Sequence, residues 1–527
     1  MKKNTIVTNL IIFIAIVIFL NLVSLSIFTR LDLSKGKIYS LSKASKQVAR
    51  DLDDRLVIKA YFSKNLPGEY ADARRYTQDL LSEYQAYSRG KLRFEFIDPS
   101  DEATLKEEAG KNQIFPVQMR VVENDKLEIR EVYLGLAFLY RDKTESIPLV
   151  QNTRGLEYDI TKLIKKITAQ GMKKLAFFQS QPLNEMAAMQ GQQNPGDIHS
   201  TVRQLLADSY EVSVIDLQDP VESAVSILVF SGTEDSLSTE QLYNLDQYIM
   251  SGRNIIFFQD RITTDIQTQQ AALIESNLFQ LLRNYGIFLK SNLVTDAQCG
   301  QVQVQRQQGM FRFMTPVNYP FFPVINNVNK QNMIVKNLEQ MQLIFASELD
   351  TLRLTEGLTF EPLLFTSDNS GEVKAPQLDI SVGNYMNINL KNILLEGPKV
   401  VSGIYTGRIN SFFADNELYP DVIPFTESAA ILVVTDADFI QDNGGAGVKG
   451  NLDFVLNAVD YMASESTLIE IRARETEFKP LKEISNTGRK IVKWANILLP
   501  SLLLILIGII RYRKEIKRRK FLGELYE

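Results

Sequence analysis

One cysteine, one histidine and one tryptophan are all that 527 residues contain of those three types. Cys299 alone permits no intramolecular disulfide, so the fold must stand on its buried core. With His199 the only imidazole, zinc sites built from four Cys/His ligands, or from three and a water, are excluded. Any metal would be a hard cation held by oxygens. There is no G-x-x-x-x-G-K-[ST] segment, so the chain carries no ATPase loop of its own. There is no G-x-S-x-G nucleophile elbow either. Cys299 lies in the Gln-rich "TDAQCGQVQVQRQQG" and His199 opens a helical stretch far upstream, which disfavours a Cys–His hydrolase pair.

What is present is an ordinary globular composition, 45% hydrophobic and 23% charged, long enough for two or three domains. Two apolar runs stand near its ends. Residues 6–28, "IVTNLIIFIAIVIFLNLVSLSIF", carry no charge, and a helix of that length spans roughly 35 Å, enough for a bilayer core. A signal peptide has a shorter apolar region, so the run reads as an uncleaved anchor. Residues 491–510, "IVKWANILLPSLLLILIGII", read as a second span, with Trp494 as an interfacial aromatic.

Lys2 and Lys3 precede the first span, and "RYRKEIKRRKFLGELYE" (511–527) follows the second. By the positive-inside rule both ends, 1–5 and 511–527, are expected in the cytoplasm, with the bulk of the chain periplasmic at a bacterial inner membrane. The two ends contribute +2 and +4 to a net charge of −5, leaving −11 for everything between. So acidic a middle is poor material for holding phosphates, and no nucleic-acid partner is expected.

Residues 30–171 predict a first α/β domain. "RLVIKAYF" alternates as a strand, a helical stripe follows through Ala73, Leu80, Leu81, Tyr84 and Tyr87, and "KLRFEFID" alternates again. Strand, helix, strand at this spacing predicts a right-handed parallel unit. A proline-led strand after Phe115-Pro116, hairpins and the amphipathic helix 154–171 complete a thioredoxin-like order that lacks the C-x-x-C of that chemistry.

Residues 172–465 predict a Rossmann-like domain. "KLAFFQ", "SILVFSG", "NIIFFQD" and "AILVVTD" are short apolar runs of the kind buried on both faces of a parallel sheet, and "YEVSVIDL" predicts another strand. Helices are expected around residue 203 and over 238–252, 270–286 and 450–464. Between about 287 and 428 the periodicity weakens and a β-rich insertion is expected; 466–490 read as a linker. In open α/β sheets ligands bind at the carboxyl ends of the strands. Gln179, Gly232, Asp260, Asp436 and Asp438 all fall at such ends and form a candidate ligand crevice. The default alternative is that they cap helices and shape Asx-turns. No catalytic residue, cofactor or metal ligand is expected.

Several stretches together resemble a known family: "LDLSKGKIYSLSKASKQVARDLDDRLVIKAYFSKNLP", "LLSEYQAYSRGKLRFEFIDPSDE", "LEYDITKLIKKIT", "YPFFPVI", "VVTDADFI" and "GNLDFVLNAVDYM". In this order, between two apolar runs, they are similar to GldG-type proteins, auxiliary components of gliding-motility ABC transporters. The resemblance implies a non-enzymatic subunit working with a separate permease and a separate cytoplasmic ATPase, and with an extracytoplasmic substrate or envelope partner. It also implies a GIFT-type module at 172–465. The family's "GDSDF"-like strand end corresponds to Thr435 through Phe439, with threonine in place of the usual glycine, and "QSQPLN" replaces its "TGHGE"-like turn. The alternative function is a free-standing, membrane-anchored glycan- or cation-binding protein.

Overall fold

The computed structural model describes residues 40–472, apart from 181–196 and a few shorter gaps, together with 508–519 and scattered positions in the terminal apolar runs. The runs read as membrane spans, 6–28 and 491–510, lie almost wholly outside the described residues. Among the described residues no helix is long and apolar enough to cross a membrane. The chain divides into two compact units, Met1–Glu477 and Phe478–Glu527, and the second shows a helix over 508–519.

Near the start of the first unit lies a four-stranded sheet. Strand β1 (Leu56–Phe62) runs parallel to β2 (Leu92–Ile97) and antiparallel to β3 (Leu134–Tyr140), which pairs with β4 (Lys143–Ile147). The alternation read in "RLVIKAYF" places Leu56, Ile58, Ala60 and Phe62 in one core with Leu80, Leu81 and Tyr84. Helices α1 (Lys43–Arg50), α2 (Gly68–Tyr87) and α3 (Leu156–Thr168) accompany this sheet, and a further helix, Ala103–Lys111, follows β2. Buried Glu157 on α3 accepts from the Ser42 backbone N–H at 2.7 Å and from Ser45 Oγ at 2.6 Å, clasping the start of α1. The proline-led strand, Val117–Glu123, does not enter the sheet. It pairs with Lys126–Val132 as a separate ribbon, and β3 fills the place beside β1.

The second sheet has eight strands and mixes parallel with antiparallel pairing. Its parallel part is β5 (Lys174–Phe178), β6 (Glu211–Ile215), β7 (Val225–Phe230), β8 (Asn254–Phe258) and β11 (Phe425–Val434), ordered β6-β5-β7-β8-β11. Alternate residues feed opposite faces. Phe177, Val229, Ile256 and Leu432 pack against α4 (Ser200–Ala207) and α7 (Lys449–Met462). Phe178, Phe230, Phe257 and Val433 pack against α5 (Thr239–Met250) and α6 (Leu278–Asn284). Helices on both faces explain why these strands read as unbroken apolar runs.

Residues 287–428 extend the sheet antiparallel from β11 through β10 (Val400–Asn410) and β9 (Leu358–Phe365) to the short edge Asn327–Val328. They also form a hairpin, Cys299–Gln308 with Phe311–Ile325, whose Tyr319 and Phe321 sit in a smaller core with Phe345. The helix expected over 270–286 is shorter. Gln270–Leu273 is a strand paired with Ile262–Asp265, and only Leu278–Asn284 is helical. Asn277 accounts for the break: its side chain bonds both the N–H and the C=O of Leu237, fixing the chain before the helix can start. Within the stretch read as a linker, Ile469, Ile471 and Arg472 are buried, and Arg472 bonds Asp460 at 3.0 Å and the Tyr158 hydroxyl at 2.7 Å.

Candidate functional site

Parallel strands end at one edge of their sheet, so the polar residues that terminate them converge. The residues after β5, β7, β8 and β11 line a cavity of about 440 Å³. Gln179, Gly232, Asp260 and Asp438 are all in its wall, so four of the five candidate residues share one space. Asp436 does not reach it.

The rim is tied together locally. Gln259 is 1% exposed; its Oε1 accepts from Thr233 N–H at 3.0 Å and its Nε2 donates to the Thr233 carbonyl at 2.9 Å, which fixes the turn after β7. Gly232 has φ +89°, and a Cβ there would stand 2.7 Å from the Phe258 carbonyl and 2.9 Å from Ala437 Cβ. Both the backbone conformation and the space demand glycine. Asp260 Oδ1 accepts from Ala437 N–H at 2.9 Å, joining the ends of β8 and β11.

The two aspartates after β11 differ in role. Asp436 is wholly buried and accepts from the backbone N–H groups of Ile344 at 2.6 Å and Phe439 at 3.0 Å, which makes it a brace for two loops. Asp438, two residues on, is half-buried in the cavity wall, and among the described residues nothing bonds its carboxyl group. Thr435, at the position where the resembled family has glycine, donates its hydroxyl to the Val401 carbonyl at 3.0 Å and to Ser347 at 2.5 Å. The substitution thus joins β11 to its neighbours and adds nothing to the cavity.

Electrostatics set the site apart. Burial, then the Asp438 charge, holds the Asp260 carboxyl well above the usual carboxylate range. Burial, then Asp260, does the same to Asp436. Burial and neighbouring Glu234 push Asp438 up to about 6. Glu234 and Asp235 are also in the wall, which holds no lysine or arginine among the described residues.

His199 completes the wall, and strand-end reasoning missed it. It sits just before α4, packs on the Phe177 ring at 5.4 Å between centroids, and is only 3% exposed. Neither ring nitrogen has a hydrogen-bond partner among the described residues. Burial, then the Arg203 guanidinium, depresses its pKa to about 4, so the ring is neutral at pH 7. Arg203 is itself engaged, bonded to Asp197 and, at 3.0 Å, to Gln179 Oε1. A stretch of chain separates Gln179 from His199, which hid the juxtaposition; the signal was that His199 stands at the start of α4, the next described helix after β5.

Cys299 is absent from this wall. Burial, then the charge of Asp296, pushes its thiol up to about 11, far from a thiolate nucleophile at pH 7. The two residues of the disfavoured Cys–His reading do not share the cavity. Among the described residues no three His, Cys, Asp or Glu side chains are grouped to hold a metal ion.

A family model described as an ABC-type uncharacterized transport system matches residues 172–458, more than half the chain. The chain belongs to this family. The match runs from just before β5 into α7 and includes every residue of the cavity wall. A second model, described as a domain of unknown function, matches residues 35–139. A protein of Borreliella burgdorferi, described as uncharacterized, is 24% identical over 534 residues, 98% of this chain and 99% of its own. Among solved structures, the mmIFT52 N-terminal domain aligns with 55% of this chain and 97% of its own at 10% identity and a TM-score of 0.32. A ThuA-like protein from Parabacteroides merdae aligns with 56% and 91% at 11% identity and a TM-score of 0.29. Likeness at those scores carries no argument. Membership in this family suggests an auxiliary, non-enzymatic role beside other components of an ABC transport system.

Proposed function

We propose that this chain is a non-enzymatic auxiliary subunit of an ABC transport complex of the GldG type, working with a separate multi-span permease and a separate cytoplasmic ATPase. The family match over 172–458 carries the reading, and the absence of an ATPase loop in the sequence agrees with it. Two membrane helices, 6–28 and 491–510, pack against the permease by close apolar contact. The basic ends face the cytoplasm of a bacterial inner membrane, and a thioredoxin-like domain (30–171) and a Rossmann-like, GIFT-type domain (172–465) lie in the periplasm. The strand-end cavity is where the second domain meets a substrate or envelope partner. A free-standing binding protein is the second reading, favoured by His199 and Asp438 in that cavity, whose polar side-chain atoms have no partner among the described residues.

Affinity purification of the full chain from native membranes in mild detergent, followed by mass spectrometry, tests the proposal. Stoichiometric recovery of a permease and a P-loop ATPase is the expected result. A monodisperse chain that brings neither would leave only the free-standing reading.

A further inference from the structure

Three observations at the strand-end cavity go beyond a subunit's membership in a complex. The first is the charge of the wall. Glu234, Asp235, Asp260 and Asp438 contribute carboxyl groups, and no basic side chain among the described residues answers them there. Arg203, whose charge bears on His199, is taken up by Asp197 and Gln179. The second is His199, 97% buried by its 3% exposure, with both ring nitrogens facing no partner among the described residues. A buried polar group left unmet is destabilising, so a histidine held in that state calls for something to bond it. The third is size. A volume of about 440 Å³ is that of a small-molecule pocket and far more than a bare ion fills. Among the described residues, moreover, the acids are not grouped as a metal's ligands.

We propose that this cavity binds a small organic cation, whose ammonium group lies against Asp260 and Asp438 while a second polar group hydrogen-bonds His199. The neutral imidazole offers one donor and one acceptor without adding positive charge. Asp438, which nothing bonds among the described residues, is the principal counter-ion. Asp260 keeps one oxygen on Ala437 N–H and has the other to give. The inference deepens the reading of the cavity as a ligand site and does not depend on which transporter partners the chain has.

The charged groups that bear on the site are Glu234 and Asp235 after β7, Asp260 after β8, Asp436 and Asp438 after β11, and Arg203, Asp197 and Asp442 around His199. Binding of a cation favours the ionised acids, so it should release protons near pH 6 and weaken as pH falls below that.

Titration calorimetry on the purified full chain tests this with putrescine and spermidine as amine probes. The comparators are 1,4-butanediol, the uncharged counterpart of putrescine, and magnesium chloride. The expected result is saturable binding of at least one amine, at least tenfold tighter than the diol. Asp438→Asn should weaken it tenfold or more, His199→Phe should weaken it as well, and His199→Gln, which keeps a donor and an acceptor, should recover part of the loss. Near-UV circular dichroism of each variant establishes that it is folded. Equal affinity for amine and diol, no binding of either amine, or full affinity in Asp438→Asn would overturn the proposal. Magnesium binding in preference to both amines would replace it with a metal site. None of these outcomes bears on co-purification with a permease.

Discussion

Asp246→Ala should cost about 3–5 kcal/mol of stability, because the buried Tyr285 and Ser411 hydroxyls and the half-buried Phe412 N–H lose their acceptor at once. Asp246, on α5, is 0% exposed. Its carboxyl group accepts from the Tyr285 hydroxyl at 2.7 Å, the Ser411 hydroxyl at 2.7 Å and the Phe412 backbone N–H at 2.8 Å. Those donors follow α6 and β10, so one side chain joins two helices to the antiparallel end of the sheet. The alanine methyl can accept nothing. Asp246→Asn keeps one acceptor and should fall between the two. Urea unfolding midpoints measure the difference. A loss under about 1 kcal/mol for the alanine variant would mean that the network is not formed as described.

Asp438→Asn should do the opposite and stabilise the protein at pH 7. The Asp438 carboxyl is raised from 3.8 to about 6 on folding, so between those values the folded chain holds a proton that the unfolded chain has released. Stability contributed by this group therefore falls as pH rises through that window, and the full penalty is present above pH 6. Removing the charge relieves it. The gain should approach about 2–3 kcal/mol at neutral pH and vanish near pH 4. His199 acts with the reverse sign: its pKa of about 4 when folded makes the protein lose stability as pH falls from 6.5 towards 4. That term is common to both proteins and cancels in the comparison. Urea unfolding of wild type and Asp438→Asn at half-unit steps from pH 4 to 7.5 checks the prediction. A variant less stable than wild type at pH 7 would show that the carboxylate is a brace like Asp436. Burial raises Asp260 and Asp436 in the same sense, but those two carboxyls brace backbone N–H groups, whereas among the described residues nothing bonds Asp438.

The parallel strands were legible because burial on both faces leaves unbroken apolar runs, and "AFF", "ILVF", "IIFF" and "ILVV" have no other soluble explanation at that length. Once they were placed, the convergence of Gln179, Gly232, Asp260 and Asp438 followed from strand direction alone. Asp436 lay outside that logic. The two aspartates stand two residues apart, so strand alternation does not separate them; the turn into the short 3-10 helix Asp438–Ile440 does, and the Ile344 N–H bonded to Asp436 shows which of them points inward. His199 stayed hidden because its partners in the wall come from distant loops.

The stretch 287–428 was opaque for a different reason. The pairings of β9 with β10 and of β10 with β11 carry register shifts at Pro362/Leu364 and Gly407/Ile409, and each shift resets the alternation on which strand reading depends. The short β-strand at Gln270–Leu273 was misread as helix because "QAALIE" is rich in helix formers and pairing across a turn overrode that preference.

ATP turnover in membranes rebuilt from purified parts tests the central claim most directly. The account predicts no hydrolysis by this chain alone, hydrolysis by the permease–ATPase pair, and a change in that rate when the wild-type chain is added. Hydrolysis by the isolated chain, or a permease–ATPase pair indifferent to its presence, would contradict it.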